Sequence, residues 1–419
     1  MQVFKFGGAS VKDANGIKNL ASVLQKVGFK NTLIVVSAMG KTTNSIEVVI
    51  KNYFENKAEL QNSIKDVKKY HNDILLELFK NKNHAIFKKI NTFFDELQSI
   101  LNVNKSPDYN FLYDQVIGFG ELTSTTIISE YLNFIGLKNN WIDARDYIKT
   151  DNYYRRANIN WEETQRLISS KFNKSTLNIT QGFLGSDANN FTTTLGREGS
   201  DYTAAIFAYC LNAESVTIWK DVPGVLNADP RYFDNAQLLN KISYREAIEL
   251  AFYGASVIHP KTLQPLQGKE IPLFVKSFLN PEDSGTKIGK DITLKPMIPC
   301  FIVKKNQVLI SLSSLDFSYI VEENISEIFN LLHLYKMKVD VIQNSAISFS
   351  VCIDNIYNNL EKLLHHLKAK FKVTCHENVS LYTIRHYNDK AITQIESDKT
   401  VLLKQLTQET VQVVTKQTI

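Results

Sequence analysis

Two short, mostly apolar runs in this chain each stop at a glycine-bearing turn. Val3–Phe6 ends at Gly7-Gly8, and Leu33–Val36 ends at Ser37-Ala38-Met39-Gly40. Runs without polar alternation suit strands buried on both faces of a parallel sheet. Between them Ile17, Leu20, Val23 and Leu24 keep helical spacing. The chain therefore begins β-α-β and is expected to be an α/β protein. Its 419 residues allow two or three domains. A hydrophobic fraction of 44% with 22% charged residues argues against disorder as the main state.

Composition excludes several classes. The four cysteines, Cys210, Cys300, Cys352 and Cys375, form no CxxC pair, which argues against a zinc ribbon, a redox dithiol or a disulfide scaffold. No apolar run approaches the length of a membrane helix, and the first residues lack a signal-peptide layout. A soluble, cytoplasmic protein that meets neither membrane nor nucleic acid is expected. The net charge of +5 is too dilute for nucleic-acid binding but compatible with a site for anions.

Residues 53–102 carry two amphipathic stripes. Ile64, Val67, His71, Ile74, Leu75 and Leu78 form one, and Ile86, Ile90, Phe93, Phe94, Leu97 and Leu101 the other, with a break near Asn81–Asn83. They read as two helices with solvated outer faces and no chemistry of their own. Residues 111–290 return to alternation, with strands at 176–180, 215–219 and 272–275 and helices at 202–211 and 244–252. After Lys295–Pro299, which reads as a linker, the tail runs β-α-β-β-α, a ferredoxin-like order. In it Ile347, Phe349, Val351 and Ile353 alternate with polar residues, and Ile356, Leu360, Leu363, Leu364 and Leu367 mark the second helix. A shorter run follows: strands near 379–385, 400–403 and 410–414 with a helix near 391–396.

Several segments fit both a structural and a chemical reading. Lys5-Phe6-Gly7-Gly8 is either a plain glycine turn or a phosphate cradle with a mobile cation. Met39-Gly40-Lys41-Thr42 lacks the earlier glycine of a P-loop, because position 35 is Val35. The hydroxyls of Ser37 and Thr43 still offer polar contacts there. Glu121 near a helix start complements the dipole or awaits a ligand ammonium. Thr192–Asp201 places Arg197, Gly199, Ser200 and Asp201 ahead of a helix expected to begin near Tyr202, where anions bind and arginine clasps carboxylates. Trp219–Arg231 puts acids and an arginine at a strand end. His259 is read as structural, and the eight histidines show no metal-ligand spacing.

Together these segments resemble the aspartate kinases of the amino acid kinase superfamily. Lys5–Ser10 is close to that family's KFGGTS, with Ala9 for Thr, and Gly196–Asp201 to GRGGSD, with Glu198 for a glycine. Ile218–Arg231 is similar to TDVDGIYTTDPR, Gly254–Pro260 to GAKVLHP, and Asn280–Ile288 to NPxxPGTxI. The tail resembles the family's ACT regulatory domains.

The resemblance implies a three-layer α/β/α sandwich over residues 1–292, an ACT domain over 298–378, and a compact second ACT-like segment over 379–419 that the strand near 300–304 could complete. It implies transfer of a phosphoryl group from ATP, with Mg²⁺, to the side-chain carboxylate of L-aspartate, the first step toward lysine, threonine, methionine and diaminopimelate. By motif match, Lys5, Gly8 and Asp201 are catalytic. Thr43, Glu121, Arg197, Glu198, Gly199 and Ser200 bind aspartate. Lys5, Phe6, Gly7, Gly8, Lys220, Asp221, Leu226, Arg231, Ser256 and Val257 bind ATP. The segment Val339–Ser345, read as a turn, resembles VDLITTSE, so Val339, Asp340 and Ser345 would meet an amino-acid effector, with lysine and threonine both open. A homodimer or tetramer through the ACT domains is expected.

Three departures bear on the nucleotide: Ser256 and Leu226 stand where the family often has Lys and Tyr, and Lys220 stands where it has Thr. A kinase for acetylglutamate or glutamate is the alternative within the fold, and a catalytically weak amino-acid sensor the alternative outside enzymes. Glu121 speaks against acetylglutamate, and the set Lys5, Arg197 and Asp201 against the sensor.

Overall fold

A computed structural model describes residues 1–173, 175–255, 258–316 and 318–417. The chain splits into two compact units. One comprises Met1–Val225, Leu238–Ile248 and Ile258–Leu294, and the other Leu226–Gln237, Glu249–Val257 and Lys295–Ile419.

The chain opens with β1 (Gln2–Phe6), α1 (Ala14–Val27) and β2 (Thr32–Val36). Helices α2 (Thr42–Glu55), α3 (Lys57–Leu78), α4 (Ala85–Val103), α5 (Tyr109–Ile117) and α6 (Phe119–Phe134) follow. Then come β3 (Asn140–Ile142), α7 (Trp161–Lys171), β4 (Asn178–Gln181), the hairpin β5 (Leu184–Ser186) and β6 (Thr192–Thr194), α8 (Gly199–Leu211) and β7 (Ser215–Lys220). The stretch closes with β8 (Lys241–Ser243), α9 (Tyr244–Tyr253), α10 (Pro260–Gly268), β9 (Leu273–Ser277) and β10 (Thr286–Gly289). Eight of these strands form one sheet in the order β3-β4-β2-β1-β7-β9-β10-β8. Its pairs are parallel except β9 with β10.

The unalternating runs are buried on both faces, as parallel strands under helices must be. Phe4, Phe6, Ile34 and Val36 join a core with residues of α1 to α6. The alternate residues of β1, Val3 and Lys5, face the other way, where α8 packs on β1, β2 and β7. Helices on both faces make the three layers. The expected stripes of α3 and α4 extend the first of these cores, with Ile64, Val67, Leu75, Ile90 and Leu97 all buried.

The second unit contains β11 (Cys300–Ser313), α11 (Glu322–Leu334), β12 (Lys338–Asn344), β13 (Ser348–Asp354), α12 (Leu360–Lys368), β14 (Lys372–Arg385), α13 (Asp389–Glu396), β15 (Lys399–Leu406) and β16 (Thr410–Gln417). They form an antiparallel sheet ordered β12-β13-β11-β14-β16-β15. The two 14-residue strands β11 and β14 run its full depth. Their register slips between Lys304 and Leu309, and Asn306 and Asn378 adopt left-handed φ of 57° and 56° there. On one side of the slip lie Gln307–Ser313, α11, β12, β13, α12 and Lys372–His376, a complete ferredoxin-like order with its own core. On the other side Cys300–Lys304 pair with Leu381–Arg385, next to α13, β15 and β16.

Four local expectations are corrected. Helix α8 begins at Gly199, not near Tyr202, because Glu198 takes a left-handed conformation (φ 54°) that turns the chain into the helix early. Residues 339–344 belong to a strand rather than a turn: β12 pairs with β13 along its length, and a bulge between Val339 and Val341 leaves Asp340 as the extra residue. Ile356 lies before α12 and is exposed, since that helix starts at Leu360. Residues 372–376, given no element by periodicity, continue directly into the strand expected at 379–385.

Candidate active site

Adjacent strands of a parallel sheet deliver their carboxyl ends to one edge, the usual place for ligands in open α/β folds. Here the end of β1, the loop after β2, the start of α2, the loop after β4, the start of α6 and the start of α8 with the residues before it together line a cavity of about 240 Å³. That is below the usual range of roughly 300–1,000 Å³ for drug-sized ligands and suits a small metabolite. Lys5, Ser37, Thr43, Glu121 and Phe183 contribute from one set of segments, and Gly196 and Glu198–Asp201 from the other.

Lys5 Nζ stands 2.7 Å from Asp201 Oδ1, and both side chains are buried. Asp201 lies in the first turn of α8. It is thus no mere helix cap; it holds a lysine ammonium at the end of β1. The glycines beside Lys5 are needed for close backbone approach. A Cβ on Gly8 would lie 2.7 Å from the Ala38 carbonyl oxygen and 2.9 Å from that of Gly40. The Gly40 amide donates to the Gly8 carbonyl at 3.0 Å, and the Ser37 amide to that of Phe6 at 3.1 Å. The loops after β1 and β2 are in this way one hydrogen-bonded structure.

Glu121 lies in the first turn of α6 and is 3% exposed. Its Oε1 accepts from the Ala38 amide at 3.4 Å, and its Oε2 has no hydrogen-bond partner. Burial pushes this carboxyl up from 4.5 to about 8. A buried carboxylate oxygen without a donor costs free energy that a cationic group entering the cavity can offset. The start of α8 offers complementary chemistry: its first amides face the N-terminal end of the helix and favour anions.

The other residues singled out from the sequence divide sharply. Arg197 is exposed and does not line the cavity, although its neighbours Gly196 and Glu198 do. Lys220 is the last residue of β7, the strand beside β1, and Asp221 follows it. Leu226 and Arg231 belong to the second unit, and the Arg231 guanidinium pairs with Asp229 at 2.6 Å. Ser256 and Val257 lie outside the described residues. Val339, Asp340 and Ser345 are in the second unit, where Asp340 pairs with Lys304 at 2.7 Å and the Ser345 hydroxyl lies 2.7 Å from that of Ser348. His259 caps α10 by accepting from the Lys261 amide at 3.2 Å, a structural role. Among the described residues no group of three or more His, Cys, Asp or Glu could hold a metal ion.

Two contributors had no clear sequence signal. Phe183 lines the cavity with a left-handed φ of 72°, and no local pattern tells which side chain the segment after β4 presents. Asp114, in α5, is fully buried and accepts from the amides of Thr194 and Arg155, both at 2.9 Å, and from the Thr194 hydroxyl at 2.8 Å. It anchors the strand that leads into Gly196. Burial raises its carboxyl to about 6 against those donors.

Comparison with known proteins agrees with this geometry. The amino acid kinase family matches residues 1–277. The chain is 30% identical to the lysine-sensitive aspartokinase 3 of Escherichia coli (strain K12), over 91% of this chain and 86% of that protein. Among solved structures it is similar to E. coli aspartokinase III in complex with lysine and aspartate, with a TM-score of 0.83 and 27% identity over 99% of this chain and 95% of that one. The same enzyme in complex with aspartate and ADP gives a TM-score of 0.81, again at 27% identity, over 99% and 96% of the two chains.

Proposed function

Since this chain belongs to the amino acid kinase family, in its aspartokinase branch, we propose how its cavity performs that branch's reaction. The protein is an ATP-dependent aspartate kinase, forming 4-phospho-L-aspartate and ADP. The observation that carries the assignment of roles is the pairing, within one small cavity, of the Lys5–Asp201 ion pair with the donorless carboxylate oxygen of Glu121.

Phosphoryl transfer asks mainly for positioning and charge neutralisation. The nucleophile, the side-chain carboxylate of aspartate, is already ionised, so no general base is required. Lys5 neutralises the transferring group, and Asp201 fixes Lys5. The Gly7 and Gly8 amides surround the phosphates next to Phe6. Glu121 receives the substrate ammonium. Arg197, exposed beside the cavity, is proposed for the α-carboxylate on its motif match, and Glu198, Gly199, Ser200 and Thr43 complete the amino-acid side. Lys220 and Asp221 are proposed for the nucleotide on the resemblance of their segment. The same resemblance is the ground for Leu226, Arg231, Ser256 and Val257.

Mg²⁺ binds through one or two carboxylates plus substrate phosphates rather than in an all-protein cage. The residues present fit that mode, for Asp201 Oδ2 is buried without a hydrogen-bond partner and no larger ligand cluster exists among the described residues. The ion supplies charge neutralisation on the phosphates when bound.

For the tail, we propose an ACT domain over 298–378 and a compact second one over 379–419, completed by the strand at 300–304, after a catalytic domain over 1–292. The two independent cores flanking the register slip support this division. An amino-acid effector at Val339, Asp340 and Ser345, assembly into a homodimer or tetramer through the ACT sheet, and a cytoplasmic location complete the reading. No helix among the described residues is long and apolar enough to cross a membrane.

The direct test is ADP release with a panel of amino acids, each repeated with added lysine and threonine. Aspartate should be the preferred acceptor, and one of the two effectors should lower the rate in the native chain but not after Asp340→Ala. Turnover with glutamate or acetylglutamate but not aspartate would overturn the assignment. Arg197→Ala should raise the aspartate KM by roughly 10–100-fold, the worth of one charge-assisted contact, with the ATP KM unchanged. Equal loss for both substrates would instead indicate collapse of the α8 start.

A further inference from the structure

The insertion α3–α4 contributes no residue to the cavity, yet α3 grips the segments that follow β1 and β2. Tyr70 and His71 are consecutive on this helix. The Tyr70 hydroxyl donates to the carbonyl of Lys12, just past the glycine loop. The same oxygen stands against Gly40, where an added Cβ would approach it to 2.6 Å, and Gly40 has a left-handed φ of 55°.

His71 is fully buried. Its Nδ1 lies 2.8 Å from the Val67 carbonyl, which only accepts, so Nδ1 carries the proton. Burial holds the ring neutral, with its pKa lowered to about 4. Nε2, then an acceptor, stands 3.4 Å from the Thr42 hydroxyl, whose one proton goes to the Met39 carbonyl at 2.6 Å, so the ring supports Thr42 by contact rather than by a hydrogen bond. Both side chains therefore bear on one turn, Met39–Thr42. That turn donates the Gly40 amide to Gly8, is preceded by the Ala38 amide that meets Glu121, and is followed by Thr43, which lines the cavity. A helix that merely filled the core would gain from leucine at position 71, because a neutral imidazole loses hydration on burial.

We propose that Tyr70 and His71 are positioning residues for the amino-acid subsite, setting the turn after β2 against the glycine loop so that the Ala38 amide meets Glu121 and Thr43 meets the substrate correctly. This rests on the assignment of the cavity to aspartate. Neither residue touches substrate. Their effect passes through the turn to Glu121, whose other charged neighbours in the cavity are Lys5, Glu198 and Asp201.

The test is steady-state kinetics of full-length Tyr70→Phe, His71→Leu and His71→Gln, with melting temperature and the pH profile of the aspartate KM. Tyr70→Phe removes one hydroxyl and keeps the ring; it should raise the aspartate KM about 3–10-fold, with the ATP KM within about twofold of native. His71→Leu should raise it about tenfold or more, since small misplacements around a site are costly. His71→Gln, with an amide near the Nε2 position, should recover most of that loss. In the impaired variants the pH at which aspartate binding strengthens should move upward, because a displaced Ala38 amide no longer favours ionised Glu121. An unmoved aspartate KM and pH profile in Tyr70→Phe, or parallel changes in both KM values that track melting temperature, would overturn the proposal. A native chain that does not turn over aspartate would fail the functional assignment, and this inference with it. An active native chain with indifferent variants would fail this inference alone.

Discussion

Replacing Lys5 by alanine is expected to lower kcat by roughly 10²–10⁵-fold, the range for groups that stabilise charge in phosphoryl transfer. Lys5 is the cation at the end of β1, 2.7 Å from Asp201 and inside the cavity lining. The substitution has a second effect that must be separated from the first. Removing one member of a buried pair leaves the other charge uncompensated, at a cost of about 3–5 kcal/mol, and Asp201 is only 1% exposed. Lys5→Met keeps the volume but strands the same charge, whereas Lys5→Met combined with Asp201→Asn also removes it; this double variant should fold and remain almost inactive at saturating ATP and aspartate. Asp201→Asn alone should lose less, since it frees the ammonium without deleting it. Near-native turnover in folded Lys5→Met would remove Lys5 from the mechanism.

Glu121→Gln should raise the aspartate KM by about 100-fold while leaving ATP binding unchanged, because a neutral amide cannot pair with the substrate ammonium. The sign of the pH dependence follows from burial. In the free protein the carboxyl is raised to about 8, so near pH 7 it is mostly protonated and must release its proton as the ammonium enters. Aspartate binding should strengthen as pH rises from 6 to 8 and level off above, with proton release measurable by calorimetry in buffers of different ionisation enthalpy. Stability should run the other way. A folded-state pKa above the ordinary 4.5 means that this residue's contribution is fully present below about 4.5 and is lost as pH climbs through 8. Both dependences should flatten in Glu121→Gln. A KM profile of unchanged slope in that variant would assign the titration to another group.

Much of the site was legible because its chemistry is carried by short contiguous motifs. Lys5 with two glycines, and Gly199–Asp201 at a helix start, announce anion handling through local backbone geometry alone. Glu121 was ambiguous in the sequence, since an acid in a first helical turn also serves the dipole. Its burial and its donorless Oε2 decided the matter, and both depend on packing of α6 under the Ala38 loop. Arg197 shows the opposite case. Its motif is clear, but the side chain stands exposed outside the cavity lining.

The sequence by itself determined the elements whose signal is periodic and local: buried parallel strands from unalternating apolar runs, the stripes of α3 and α4, and the half-buried strands of the tail. Each residue there needs only its neighbours within a few positions to declare which face it presents. What the tertiary structure alone decided are relations between distant segments. His71 sits in an apolar stripe and reads as core, yet its Nε2 meets Thr42, 29 positions earlier. Asp114 carries no signal in the sequence, yet it holds Thr194, 80 positions later. Strands β11 and β14 read only in pieces, near 300–304 and 379–385 among them, yet each runs past the register slip and serves two cores. Propensity and period measure free energies within one turn or one strand. The hydrogen bonds that shape this cavity form only when the sheet brings far segments together, and no local pattern records that closure.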